Sequence, residues 1–430
     1  MIILAVYVVK PGDSIHAISR TFGVTPEQIA VENGLENPTQ LVIGQALVII
    51  PGQRVHVVKQ GDTISAIAKR YGVTQSQIIQ ANPQIGANGI LKVGQTVVIP
   101  AAPTNKLGTI EVNGYVFPSS DMQVVRSSLN SLTYLSIFSY EVRPDGSLNS
   151  IDDDKWIQLA RANKVAPIMV ITNIREGGKF NSDIGHSILT NEVAQANLIR
   201  NVENTLKAKK YYGVNIDFEY LFQNDKQSYN DFIQRITNRM HDLGYKVFTA
   251  LAPKLNGTQV GLLYEAHDYA FHGKTVDRVI LMTYEWGYLA GPPQAVAPLD
   301  QVRKVLDYAV TVIPRDKILM GVPNYGYDWA LPYKKGTLAK TFSNVEAVNR
   351  AFRNHADIKY DPVAKSPYYT YYDSNKVQHI VWFEDVRSIR EKLMLVNEFG
   401  LVGISIWTSE KTFPQSYIIL DSMFNIKKVI

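Results

Sequence analysis

Between Tyr115 and Trp407, apolar runs of strand length recur eight times among stretches of helical spacing, and few folds can use that alternation. The runs are Tyr115–Phe117, Tyr134–Tyr140, Ala166–Thr172, Val214–Tyr220, Val247–Ala252, Val279–Tyr284, Ile318–Pro323 and Val402–Trp407. Asp154–Ala162, Glu192–Lys209, Asp225–Leu243 and Asp300–Val312 read as helices between them. Strands that are apolar on both faces and joined by helices belong in a parallel sheet covered on both sides. Eight of them predict the α/β class, as a (β/α)8 TIM barrel over residues 110–430. An open doubly wound sheet is the alternative, but no glycine-rich phosphate turn follows the first strand. Residues at about 330–383 interrupt the pattern as a small α+β insertion between strands seven and eight. There Pro367–Asp373, Ser374-Asn375 and Lys376–Phe383 read as a hairpin, and Glu384–Phe399 as the helix that returns to the barrel.

In such a barrel the chemistry sits where the strands end. The ends here hold amides, acids and aromatic rings, as sugar recognition requires. The fourth run, Tyr212-Gly-Val-Asn-Ile-Asp-Phe-Glu-Tyr220, has the most informative pattern. At period two, Asn215, Asp217 and Glu219 share one face and Val214, Ile216 and Phe218 the other. Two like charges about 6–7 Å apart each raise the cost of ionising the other. That favours an acid that still holds its proton near neutral pH. A solvated strand face would show the same alternation, but usually with mixed charge or Ser/Thr.

The first hundred residues are an internal repeat. Val8-Val-Lys-Pro-Gly-Asp-Ser-Ile15 returns as Val57-Val-Lys-Gln-Gly-Asp-Thr-Ile64, Gly23 as Gly72 and Asn33 as Asn82, each at an offset of 49 residues. Each copy reads as βααβ: a strand, a Gly-Asp-Ser/Thr turn that caps a helix, a second helix after Thr25 or Thr74, and a closing strand at Ala46–Ile50 or Thr96–Ile99. The modules span 1–51 and 55–100, and 101–109 reads as the linker to the barrel.

Composition excludes several chemistries. There is no cysteine, so disulfides, thiolate nucleophiles and Cys-zinc sites are ruled out. The net charge of +5 is spread along the chain rather than gathered into a Lys/Arg run, which argues against nucleic acid and allows an anionic wall polymer. His267 and His272 are five apart, off one helical face, and no His-Glu-x-x-His accompanies them, so no metal is expected. Asp152-Asp153-Asp154 reads as a loop and helix N-cap, and Gly177-Gly178 as a loop beside the cleft. Met1–Val9 is apolar but too short for a span and lacks a basic n-region or cleavage site. No membrane partner, no cofactor and a monomeric state are expected.

The repeats resemble LysM modules, which implies binding of N-acetylglucosamine-containing glycans such as peptidoglycan or chitin. The family's groove lies between the first strand–helix loop and the second helix–strand loop. Carried over, it implies contacts from Gly12, Asp13, Ser14, Ile15 and Asn33, and from Gly61, Asp62, Thr63, Ile64 and Asn82. Gly and Asp at these places also serve to turn the chain and cap the helix.

Gly-Val-Asn-Ile-Asp217-Phe-Glu219, Met282-Thr-Tyr284 and Trp407 resemble the glycoside hydrolases of family 18. That resemblance implies a retaining, substrate-assisted reaction through an oxazolinium ion. Glu219 would be the acid, Asp217 and Tyr284 would hold the acetamido group, and Trp407 would form the floor, with Asn215, Trp286 and Tyr325 as further substrate contacts. Members usually carry acids at the positions of Tyr212 and Asn215, and a Ser-x-Gly-Gly run where this chain reads Ile171-Thr-Asn-Ile174. Joined to two LysM copies, such a barrel is similar to the N-acetylglucosaminidases that spore-forming bacilli direct at cortex peptidoglycan. A β-1,4 N-acetylglucosaminyl hydrolase associated with the spore or cell wall is therefore expected. A chitinase or a non-catalytic glycan-binding wall protein is the alternative.

Overall fold

In the computed structural model, the barrel strands run Gly108–Val116, Tyr134–Glu141, Ala166–Thr172, Gly213–Asp217, Lys246–Leu251, Arg278–Leu281, Ile318–Pro323 and Gly403–Trp407. All eight are parallel, and the last pairs with the first to close the ring. The structure describes residues 4–37, 39–51, 54–86, 89–99, 106–175 and 178–430. Met1–Ile3, the Gly52-Gln53 join, residues 101–105 of the linker and Gly177 of the expected cleft loop lie outside these.

The first strand begins seven residues earlier than its apolar run, at Gly108 rather than Tyr115. Its polar residues hide it from a hydrophobicity reading because they are paired inside the barrel. Glu111 closes the amino end of the ring, accepting from Arg278 at 2.6 and 2.7 Å, from Lys427 at 2.9 Å and from the Tyr134 hydroxyl at 2.9 Å. One layer up, Asn113 accepts from Ser136 at 2.8 Å and donates to Ser405 at 3.0 Å. Burial of these groups is tolerated because each one finds partners. Above them Tyr115, Phe138, Ile168, Val170, Phe248 and Ile280 fill the interior.

The helices Asp154–Ala162 and Glu192–Lys209 have the expected bounds, and Lys226–Asp242 and Leu299–Val312 differ by a residue or so. Asp153, at the foot of the first, is fully buried and accepts from Tyr140, Tyr211 and Lys209. It therefore serves packing between elements, with no side-chain cap bond.

The insertion between the seventh and eighth strands is α+β, as its sequence suggests, and begins a few residues before 330, at Gly326. It forms a five-stranded antiparallel sheet covered by helix Asn344–Arg353. The return helix is Val386–Phe399, capped by Asp385. Glu384 precedes the cap and pairs instead with Lys392 at 2.8 Å, both fully buried.

Each repeat forms the expected βααβ unit, with strands Ala5–Val8 and Ala46–Ile49 in one and Arg54–Val57 and Thr96–Ile99 in the other. Ser14 and Thr63 cap the first helices at 3.2 and 3.1 Å. The copies differ in their surroundings. The first docks on the catalytic unit: Gln415 donates to the Asn33 side chain at 2.7 Å and to Ala46 O at 2.9 Å. Ile358 N donates to Ile43 O at 2.9 Å and Arg387 to Gly44 O at 3.2 Å. A Cβ on Gly44 would lie 1.8 Å from Ile358 O, whereas one on Gly94 in the second copy would meet nothing within 4 Å.

Both glycines have φ near +83°, so alanine strains either backbone and only Gly44→Ala must also push the docked surfaces apart. Forced overpacking costs about 1–3 kcal/mol. We predict that Gly44→Ala speeds hydrogen exchange at the Ile358 amide about 5- to 100-fold, while Gly94→Ala leaves it unchanged.

Candidate active site

The fourth strand ends at Asp217, so the shared face read from period two holds for Asn215 and Asp217 only. Glu219 stands on the turn that follows, with Tyr220 in the left-handed region at φ +53°. That turn is clamped from two sides. Asn173, fully buried after the third strand, accepts from Glu219 N at 2.9 Å and donates to Glu219 O at 2.8 Å. His267 accepts from Ala252 N at 2.9 Å through Nδ1, so its Nε2 carries the hydrogen and donates to Phe218 O at 2.9 Å. Burial lowers the His267 pKa to about 4, which keeps this tautomer neutral. The residue that departs from the family's third-strand motif thus positions the candidate acid.

Asp217 is buried and Glu219 half-buried, and burial raises both carboxyls. Glu219 is raised further by Asp217 and by Glu285. Among the described residues no cation counts among the causes of either shift. Asp217 Oδ1 has no hydrogen-bond partner among the described residues. A buried, unsatisfied acceptor costs about 1–3 kcal/mol, and at a strand end of a barrel it is a place for a ligand's donor.

Tyr284, almost wholly buried, ends the sixth strand's turn, and burial first, then the neighbouring Tyr115, Asp217 and Glu219, holds its hydroxyl well above the usual phenol range, so it stays a donor. Trp407 is half-buried at the end of the eighth strand. Its ring meets Tyr115, Phe138 and Phe117 edge-on at centroid distances of 5.0, 5.0 and 5.7 Å. Trp286 is half-buried on the loop after the sixth strand, held by Val296 O and by the Gln294 amide.

Two expected substrate contacts are corrected by burial. Asn215 is fully buried beneath Asp217, and its amide donates to the Tyr115 hydroxyl at 2.7 Å. Tyr325 is buried, with its hydroxyl given to Glu285 and Lys411 over its ring at 5.5 Å. Glu285, held also by Tyr327 at 2.9 Å, was passed over in the sequence although an acid directly after Tyr284 at a strand end was a visible signal. Among the repeat residues, Asn33 and Asn82 each bond both ways across their own module. Asn33 donates to Ile29 O and Val48 O and accepts from Val48 N; Asn82 does the same with Ile78, Val98 O and Val98 N. Both are buried and unavailable to a sugar. Ile15 and Ile64 are core residues. Asp13 accepts from Tyr7 and Lys10 N, and Asp62 from His56 and Lys59 N, while Gly12, Ser14, Gly61 and Thr63 remain exposed. Among the described residues no group of three metal-ligating side chains converges, and no helix is long and apolar enough to cross a membrane.

An eight-stranded barrel with a carboxyl pair after strand four, a tyrosine after strand six and a tryptophan after strand eight is a glycosidase arrangement. The chain belongs to the glycosyl hydrolases of family 18, whose model matches residues 114–411, and carries LysM domains at 7–49 and 56–100. It is 41% identical to the cortical fragment-lytic enzyme of Bacillus subtilis, over 99% of each chain. The crystal structure of the spore cortex-lytic enzyme SleL of Bacillus megaterium superposes with a TM-score of 0.84 at 39% identity, covering 99% of both chains. A chitinase of Chromobacterium violaceum, at 24% identity and a TM-score of 0.68 over 73% of this chain and 98% of its own, shares the barrel fold.

Asn173→Ala leaves the peptide of Glu219 without its partners while keeping every side chain that faces the site. We predict a fall in kcat of about 10- to 100-fold with KM changed less than about 3-fold. A fall in the folded fraction that matches the fall in kcat would mean that the clamp serves folding alone.

Proposed function

We propose that this protein hydrolyses β-1,4 N-acetylglucosaminyl bonds of spore cortex peptidoglycan with retention, using the substrate's own acetamido group as nucleophile. The observation that carries this reading is the carboxyl pair that, among the described residues, has no cation and leaves one oxygen without a partner. Glu219, kept protonated by burial, Asp217 and Glu285, gives its proton to the glycosidic oxygen as the bond to C1 breaks. The acetamido carbonyl oxygen attacks C1 and closes an oxazolinium ring, the substrate-assisted exception to the two-carboxylate scheme. Asp217 Oδ1 accepts the acetamido N–H and stabilises the growing positive charge. The Tyr284 hydroxyl donates to the acetamido oxygen and orients it. Trp407, braced by three rings, supports the sugar face. The Glu219 carboxylate then takes a proton from water, which opens the ring at C1 with net retention.

The substrate assignment is supported by full-length similarity to cortical fragment-lytic enzymes, as is an association with the spore. The LysM region holds the enzyme on the glycan, and the chain works as a monomer. A linked module raises the local concentration of substrate even when it binds weakly.

Glu219→Gln removes the proton donor and keeps the shape, so turnover should fall by at least about 100-fold with wall binding intact. Full activity would overturn the assignment. Mass spectrometry of digests of cortex fragments and chitin oligomers, side by side, should show new N-acetylglucosamine reducing ends from cortex at the higher rate. A preference for chitin would favour the other substrate.

A further inference from the structure

The two repeats have the same fold but opposite charge and opposite surroundings. Residues 54–99 hold five Lys/Arg against one Asp, a net +4, and residues 4–51 hold two against four Asp/Glu, a net −2. The rest of the chain holds a net +3 over more than 300 residues, so the charge is most concentrated on the second copy, although no Lys/Arg run is present. The difference arises at matched positions: Ala5, Thr21 and Val42 of the first copy are Arg54, Arg70 and Lys92 in the second, while Glu27, Glu32 and Glu36 are Ser76, Ala81 and Ile85.

In the first copy, the loop before the closing strand is the docking surface. Val42 is buried in the insertion's core with Phe342 and Ile358, and Ile43 and Gly44 bond to Ile358 and Arg387. In the second copy the matching loop, Lys92-Val-Gly-Gln95, is open: Lys92, Val93 and Gly94 are exposed, Val93 at 71%. No hydrogen bond or ion pair joins the described residues of 54–99 to the rest of the chain. Backbone bonds set this loop beside Lys59, since Val58 N donates to Gln95 O and Gly94 N to Val58 O. Arg70 reaches the same corner, 4.0 Å from Asp62, which accepts from Lys59 N. Asp62, the only acid of the copy, is already engaged by His56 at 2.7 Å. Lys59, Lys69, Arg70 and Lys92 are all exposed.

We infer that the two copies have divided their work: the first is a fixed part of the catalytic unit, and the second alone holds the substrate, through a basic loop face that takes the carboxylates of a peptide-bearing wall glycan. This rests on the proposed function for the choice of a wall polymer among polyanions. The charge favours an anionic polymer over a neutral homopolymer for this face, because an anion relieves the repulsion among neighbouring cations.

The test is retention of the full chain on insoluble wall, in a Glu219→Gln background so that bound glycan is not digested. The probes are peptide-bearing peptidoglycan, the same material with its carboxyls amidated, chitin, and double-stranded DNA. The triple variant Lys59→Gln/Arg70→Gln/Lys92→Gln should bind peptide-bearing wall at least about 10-fold more weakly. The parent protein should lose a similar factor between about 0.05 and 0.5 M salt, and should bind amidated wall like the variant. Chitin retention should be the same for parent and variant, and Arg20→Gln in the first copy should change nothing. Undiminished wall binding by the triple variant, or equal loss from Arg20→Gln, would overturn the division of work. Retention on DNA as strong as on wall would overturn the choice of polymer. Because binding is read without turnover, a failure to hydrolyse cortex would leave this result standing.

Discussion

Two carboxyl groups meet at the carboxyl end of the fourth strand with no cation among the described residues to neutralise them, and most of the molecule serves to hold them there. The barrel supplies the strand, Asn173 and His267 fix the turn between the two acids, and Glu285 adds a third negative neighbour. Left to themselves, like charges in a buried site would move apart or draw in water. Here the surrounding hydrogen bonds fix the backbone, so the strain is relieved by protonation instead. The sign for stability follows. Carboxyls whose folded pKa is raised stabilise the fold at acid pH, and that contribution is lost as pH rises through the raised value. The site thus holds a proton for chemistry at a cost in stability above that pH, offset by the barrel core and by the Glu111 cluster at the opposite end of the ring.

The same economy of buried polar groups explains the first repeat. Asn33 joins helix to strand in its own module and also accepts from Gln415 of the catalytic unit, so a residue needed for the module's fold became part of the docking contact. Asn82 makes the same internal bonds and no external one. Two copies of one unit therefore have different exposures for their equivalent loops, and their surface charges have diverged to match.

The barrel was legible because its strands are apolar on both faces and regularly spaced. Its first strand was not, since Glu111 and Asn113 look like surface residues until their partners, far away in sequence, are brought beside them. Asp217 was legible from period two. The position of Glu219 was right in effect but wrong in cause, since a turn held by Asn173, 46 residues earlier, places it and no strand pattern reveals such a clamp. Asn33 and Asn82 misled because an asparagine near a family's groove reads as a ligand contact, whereas an amide can also satisfy a donor and an acceptor of its own backbone. The divergence of the repeats needed only a count of charge per copy, followed by the knowledge of which loop is covered.

The central claim is that protein environment, rather than substrate, keeps Glu219 protonated. Carbon-13 NMR of the free protein with labelled glutamate carboxyls, with the Glu219 signal assigned by its loss in Glu219→Gln, measures this directly. Its titration should lie well above the ordinary glutamate value of about 4.3, and should move down when Glu285 is replaced by Gln. A Glu219 signal that titrates near 4.3 in the intact protein would contradict the claim.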